Sequence, residues 1–241
     1  MKTKYTDINL IKTSDISYRG WCRNFKLIKR GSKNTRTNHL ASQHEKLLAK
    51  WEHALRQLLS EIAEEEHHRI LRYRESETHQ PNYRELDFVA KKNKELCFCE
   101  IKLKQNFKTN LKNKASGWRQ LNKSIAIASG RYRQLTGLSI CVDMSEVYGI
   151  ESIESIEEDE KYCNVDEIEK YLFIKDTSNV IWIKSSDIFQ RSIQNGLLTI
   201  EDGNKIKDSY RALYQPMALL ENQTNELKNN PFLTLFRKHQ I

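Results

Sequence analysis

Leu48, Trp51, Leu55, Leu58, Leu59 and Ile62 recur at three- and four-residue intervals, the spacing that gathers apolar side chains on one face of a helix. The pattern predicts a helix over residues 40–66. Beyond it the apolar residues fall in short extended runs. A strand is expected near residues 69–75, and two more at 84–90 and 96–103, which are rich in Val, Ile, Leu, Phe and Cys. Lys91-Lys92-Asn93-Lys94 separates the last two and reads as a tight turn, because Asn tolerates the left-handed backbone such turns need. Residues 111–129 read as a second helix and 134–144 as a further strand. Residues 171–175 and 180–184 read as a hairpin around Asp176-Thr177-Ser178-Asn179. Ser186-Asp187 opens a short helix through Ile193, which Asn195-Gly196 stops. A last amphipathic helix is expected over 205–222, with Ala212, Leu213, Met217 and Leu220 inward. The order of elements predicts an α/β fold.

The candidate chemistry lies in the two adjacent apolar strands. One carries Asp87, the other Glu100-Ile101-Lys102. Side chains alternate along a strand, so Glu100 and Lys102 share a face. If Lys92 and Asn93 form the turn, Asp87 faces Phe98, Glu85 faces Glu100, and Asp87 is the diagonal neighbour of Glu100. Diagonal neighbours lie roughly 7–8 Å apart, close enough for two carboxylates to flank one cation. Mg²⁺ takes hard oxygen ligands in an octahedron. Asp87, Glu100 and the Ile101 carbonyl could supply the protein's share, with Mn²⁺ able to substitute. Lys102 could steer a water or neutralise charge developing on a phosphate. Asp159-Glu160-Lys161 repeats the residue types without an apolar strand around it and reads as surface.

In these residues the chain resembles the PD-(D/E)XK nuclease superfamily, the restriction-endonuclease-like fold. Asp87 matches the family's first acid and Glu100-Ile101-Lys102 its (D/E)-x-K. Leu86 stands where many members have proline. The resemblance covers roughly residues 39–145. It implies a core of helix, three antiparallel strands, helix and strand, and Mg²⁺-dependent cleavage of DNA, less often of RNA. It identifies the superfamily and no particular member. Several members also carry an acid on the first helix, and Glu45 and Glu52 flank the apolar stripe here. A strand of about 20 Å is retraced by about 14 helical residues, and counting back from Glu66 favours Glu52. Some members place a glutamine from the second helix near the site, and Gln120 is the matching position.

The net charge of +8 is unevenly spread. Residues 1–39 carry ten Lys or Arg against two Asp, and residues 101–142 carry nine Lys or Arg and no acid. Residues 146–170 carry ten acids against two lysines. Lys104, Lys108, Lys112, Lys114, Arg119 and Lys123 follow the candidate site and suit a phosphate backbone, whose contact is independent of base sequence. Phe107 and Trp118 could stack on bases, though packing under the helix is their expected use. Residues 1–39 read as a basic arm with an ordered aromatic patch, 40–145 as the nuclease core, and 146–241 as an α+β elaboration. Within the last, residues 151–158 read as an exposed acidic helix or linker.

Cys22, Cys97, Cys99, Cys141 and Cys163 form no disulfide framework or zinc spacing, and the strand cysteines read as small buried residues. His44, His53, His67 and His68 scatter around their helical positions and read as surface or packing groups. No apolar run approaches the ~20 residues of a membrane span, so membrane partners are not expected and cytoplasmic residence is. These readings lead to a metal-dependent endonuclease acting on DNA, with RNA, a homodimer and a partner protein left open. The alternative is a catalytically silent nucleic-acid-binding module or a subunit of a larger nuclease or recombinase complex. A further rival is an interaction scaffold whose charges serve solubility.

Overall fold

The structure, a computed structural model, describes residues 5–30, 38–75, 80–104, 117–149, 162–175 and 179–213. In chain order these form β1 (Tyr5–Ile11), α1 (Ile16–Arg30), α2 (Asn38–Ile62), β2 (Ile70–Glu75), β3 (Asn82–Glu85), β4 (Phe88–Lys92), β5 (Glu95–Lys104) and α3 (Trp118–Ala128). Then come β6 (Leu135–Asp143), α4 (Ser145–Tyr148), a 3-10 turn (Val165–Tyr171), β7 (Val180–Lys184) and α5 (Ser185–Gln194). A sixth helix, α6, covers residues 200–213.

The strands build a mixed α/β architecture. β1, β2 and β3 form an antiparallel sheet. β4, β5, β6 and β7 form a second, antiparallel at its first pair and parallel at the other two. The two sheets join at one interruption. β3 and β4 are successive parts of an extended run broken at Leu86-Asp87, and the residues before β2 continue alongside β4. The Glu66 N–H donates to the Val89 carbonyl and the Lys91 N–H to the Glu64 carbonyl, both at 2.8 Å. The Leu86 N–H donates to the Arg69 carbonyl at 2.9 Å. Glu65 opposite Ala90 and Ile70 opposite Glu85 keep one register across the break.

Helices cover both faces. α2 lays Trp51, Leu55, Leu58 and Leu59 on Cys97, Cys99 and Ile101, in a core that reaches α5 and the 3-10 turn. Each side chain of this size contributes about 1.5–3 kcal/mol on burial. Trp51 stacks on Phe189 of α5 with ring centroids 5.3 Å apart. α3 lies on the other face, packing Leu121 and Ile127 with Val89 and Phe98. Gly137 permits its close approach, since a Cβ there would lie 2.4 Å from Ile125 Cδ1.

Within the N-terminal basic segment, residues 5–11 join the first sheet and the expected aromatic patch is ordered. β1 is the outer strand of that sheet, and Tyr18 and Trp21 of α1 pack against Tyr83. Outward-facing groups of β1 are taken by the turn after α3. The Tyr132 hydroxyl accepts from the Leu10 N–H at 3.0 Å, and Arg131 Nη1 donates to the Ile8 carbonyl at 3.0 Å.

Two C-terminal expectations are corrected. Residues 171–175 form no strand; the chain leaves the 3-10 turn, and β7 lies parallel to β6. Ile181, Trp182 and Ile183 are all buried, a continuous apolar run that suits a parallel strand covered on both faces rather than a hairpin with one wet face. α6 starts at residue 200, earlier than expected, and its buried positions are Asp202 and Ile206 while Ala212 is exposed. Lys50 Nζ meets Asp202 Oδ2 at 2.6 Å, and Tyr210 stacks on Tyr148 at 4.0 Å, so α6 is clasped to α2 and α4. Met217, Leu220 and the acidic residues 151–158 lie outside the described residues. Among those described, no helix is long and apolar enough to cross a membrane.

Candidate active site

The β4–β5 turn falls at Asn93-Lys94, one residue later than expected. Asn93 takes the left-handed conformation (φ 57°), and Lys92 pairs with Glu95. The register therefore shifts. Phe88 lies opposite Cys99, and one residue further along Asp87 lies across from Glu100 rather than from Phe98. The two-residue turn keeps the parity of the pairing, so Glu100 stands on the face opposite Cys99 and Ile101, while Asp87, at the break that ends β4, comes in along the strand edge.

The break at Leu86-Asp87 turns Asp87 into a partner for the strand edge. Leu86 is drawn to Arg69, whose carbonyl takes the Leu86 N–H and whose Nη1 donates to the Leu86 carbonyl at 3.1 Å. The Ile101 N–H donates to Asp87 Oδ2 at 2.8 Å. An extended residue directs its N–H and C=O to the same edge, so the Ile101 carbonyl also leaves β5 on the Asp87 side. The Ile101 side chain points the other way, into the core under α2.

Glu100 is 1 % exposed, and the Lys102 ammonium pairs with its Oε1. Burial, then the negative charge of Asp87, pushes the Glu100 carboxyl up to about 7, against the pull of Lys102. Asp87 is raised by burial, opposed by its Ile101 hydrogen bond and by Lys102. For Lys102, burial alone would lower the ammonium. The hydrogen bond to Glu100 and the charges of Glu100, Asp87 and Glu52 outweigh it and hold the pKa above the ordinary value.

Of the two helical acids, Glu52 faces the site. Burial and then the Asp87 charge raise its pKa, and Lys102 opposes the rise. Glu45 is exposed to solvent. It lies about 10 Å further up α2 at 1.5 Å per residue, where neighbouring His44 is the buried residue. Two arginines missed by the sequence reading complete the surroundings. Arg56, one turn after Glu52, comes within 3.8 Å of it and also lowers Asp87. Arg84 of β3 binds α3, its Nε donating to Ser124 Oγ at 2.9 Å and its Nη2 to the Gln120 carbonyl at 3.0 Å. Its charge also reaches Glu100.

Gln120 is exposed, and its carbonyl is the group that Arg84 and Ser124 bind. Gly117, not singled out from the sequence, is buried at the start of α3 against Glu100 and Lys102. A glycine inside a helical pattern is a signal for a boundary, and α3 begins immediately after it. Lys104 is half-buried at the end of β5, and Arg119 and Lys123 are exposed on α3. Lys108, Lys112, Lys114 and Phe107 lie outside the described residues. Trp118 packs beside Leu121, the role expected of it. Cys97, Cys99 and Cys141 are buried and unbridged, and His44 hydrogen-bonds Ser209 Oγ at 2.7 Å.

Among the described residues, no three His, Cys, Asp or Glu side chains are already gathered as a metal-ligand cluster. The donor set fits a hard divalent cation nonetheless. The Asp87 charge acts on the Glu100 carboxyl, the Ile101 carbonyl leaves β5 on the Asp87 side, and the like-charge repulsion between the carboxylates is what a cation would relieve. Comparisons with protein-family models, with curated proteins and with solved structures found no match.

Proposed function

We propose that this chain is a metal-dependent nuclease of the PD-(D/E)XK kind, built on a restriction-endonuclease-like core and hydrolysing DNA phosphodiester bonds. The observation that carries the reading is Asp87 across from Glu100, with the Lys102 ammonium on the same carboxylate. The sequence α2, β2, β3–β4, β5, α3, β6 follows the helix, three strands, helix, strand order that the resemblance implies. Asp87, Glu100 and the Ile101 carbonyl would hold Mg²⁺ or Mn²⁺. When bound, such an ion acidifies a coordinated water and offsets charge on the phosphate.

The other roles belong to the chain. Glu100 and Asp87 hold the Lys102 Nζ protonated beside them, so Lys102 presents a hydrogen-bond donor and a positive charge to a phosphate oxygen. That charge stabilises the oxyanion as attack proceeds. Glu52 adds an acceptor from α2 that can orient a water. Arg119 and Lys123 line the exposed side of α3 and would bind the nucleic-acid backbone without reading bases.

A cleavage assay on supercoiled, linear and branched DNA and on RNA, with and without Mg²⁺, tests the proposal. Metal-dependent cutting that Asp87→Ala, Glu100→Ala and Lys102→Ala each reduce by about 10²-fold or more, with DNA affinity much less changed, is the expected result. Salt-sensitive binding without cutting of any substrate would identify a silent nucleic-acid-binding module instead. Absence of both would leave an interaction scaffold.

A further inference from the structure

Gly117 meets two independent constraints at the site. Its φ is +75°, a region that L side chains rarely adopt. A Cβ there would lie 2.6 Å from Glu100 Cγ and 2.8 Å from Lys102 Cε, against the roughly 3.5–4.0 Å of an ordinary carbon contact. The backbone of the residue before α3 thus rests directly on the side chains that form the acid–lysine pair.

The helix side of this contact is the held one, whereas the far end of Lys102, its side chain 31 % exposed, is free to swing. Glu100 is buried, and its strand is paired on both edges, to β4 and to β6. α3 is fixed from its opposite flank by Arg84, which binds the Gln120 carbonyl and Ser124 Oγ. It is fixed from below by the contact of Leu121 and Ile125 with Gly137. The Gly117 carbonyl itself accepts from the N–H groups of Gln120 and Leu121, at 2.9 and 3.0 Å, tying the glycine to the helix. A side chain at 117 would therefore displace Glu100 and Lys102 by roughly 1 Å rather than move the helix.

We propose that Gly117 is a positioning residue of the site: its bare backbone, clamped by Arg84 through α3, is the wall that sets where the Glu100 carboxylate and the Lys102 ammonium stand relative to Asp87. The proposal deepens the nuclease reading and, for cleavage, rests on it. Misplacing reacting groups by about 1 Å costs on the order of 10²-fold in rate. The same displacement changes the spacing of Glu100 and Asp87 and weakens any ion held between them.

The test uses the full chain, with Mn²⁺ as the probe and its affinity read by electron paramagnetic resonance. Gly117→Ala is expected to bind DNA within about twofold of the native chain while kcat falls about 100-fold at unchanged KM. Mn²⁺ affinity should fall about tenfold. Gly117→Asn separates the two constraints, because Asn accepts a positive φ but keeps the Cβ; it should be as impaired as Gly117→Ala. Gly196→Ala is the control, since Gly196 also has a positive φ (68°) but open space around it; it should leave kcat and Mn²⁺ affinity unchanged. Native kcat and Mn²⁺ affinity in Gly117→Asn would overturn the proposal.

A thermal-unfolding cycle keeps the question answerable if Gly117→Ala folds poorly or if the native chain cuts nothing. Removing the Glu100 side chain clears the 2.6 Å overlap. The melting temperature lost on Gly117→Ala should therefore be partly regained in Gly117→Ala/Glu100→Ala, relative to Glu100→Ala alone. Strictly additive shifts overturn the contact whatever the chain cleaves. A coupled cycle in a chain that cleaves no nucleic acid would instead sink the nuclease reading and leave the contact standing.

Discussion

Folding takes the Glu100 carboxyl out of water and sets it across from Asp87, so its pKa rises to about 7 from an ordinary 4.5. Between those values the folded chain holds a proton that the unfolded chain has released. The stability this group contributes is fully present below about 4.5 and is lost as pH rises through about 7. In metal-free buffer, native minus Glu100→Gln unfolding free energy should therefore fall between about pH 5 and pH 8, by roughly 1–3 kcal/mol. Urea unfolding at the two ends measures it, and a flat difference would show that Glu100 titrates normally. A cation competes for the same oxygens, so apparent Mg²⁺ affinity should climb up to about tenfold per pH unit below 7 and level off above it. Calorimetric titration across that range checks the slope. At this scale Asp87, Glu100, Lys102 and Glu52 were readable from the sequence as candidates, and in the structure Lys102 pairs with Glu100 and feels the charges of Asp87 and Glu52. Arg56, Arg84 and Gly117 were not, because their relevance comes from packing between elements far apart in the chain.

The β4–β5 hairpin shows what element-level reasoning can and cannot reach. Alternation put Glu100 and Lys102 on one face, where the two side chains pair. The turn slipped by one residue, because Lys91-Lys92-Asn93-Lys94 offers two nearly equivalent two-residue loops and only the conformation of Asn93 separates them. The break at Leu86-Asp87 had no local signal; Leu86 is held there by Arg69, just before β2. The parallel placement of β7 was hidden for the same reason, since a turn-like 176–179 suggests a hairpin wherever it occurs. Asn93→Val should destabilise the chain by about 1–2 kcal/mol, the cost of a left-handed L-residue without Asn's local hydrogen bonding, while Asn93→Gly should be close to neutral. Equal midpoints in urea for the two variants would show that the turn had relaxed into the alternative register.

Across the whole molecule, charge divides into work done inside the fold and work left for a partner. Arg131 belongs to the basic stretch by sequence but is spent on β1, and Arg84 on α3. Arg119 and Lys123 remain exposed. Neutralising Lys112, Lys114 and Lys123 together should weaken DNA binding and flatten its dependence on salt by up to about 0.9 per charge, close to three in all. Fluorescence anisotropy at several salt concentrations measures the slope, and an unchanged one would remove this region from the DNA contact.

Tyr132 and Arg131 occupy polar groups on the outer border of β1, and that has a consequence for solubility. A bare strand border is adhesive and recruits extended segments of neighbouring copies. Stripping the two side chains back, as in Arg131→Ala/Tyr132→Phe, would leave a sticky ladder at the rim. Arg131→Ala/Tyr132→Phe is therefore expected to self-associate more readily than the native chain, through a border shielded by a turn more than a hundred residues downstream of the strand.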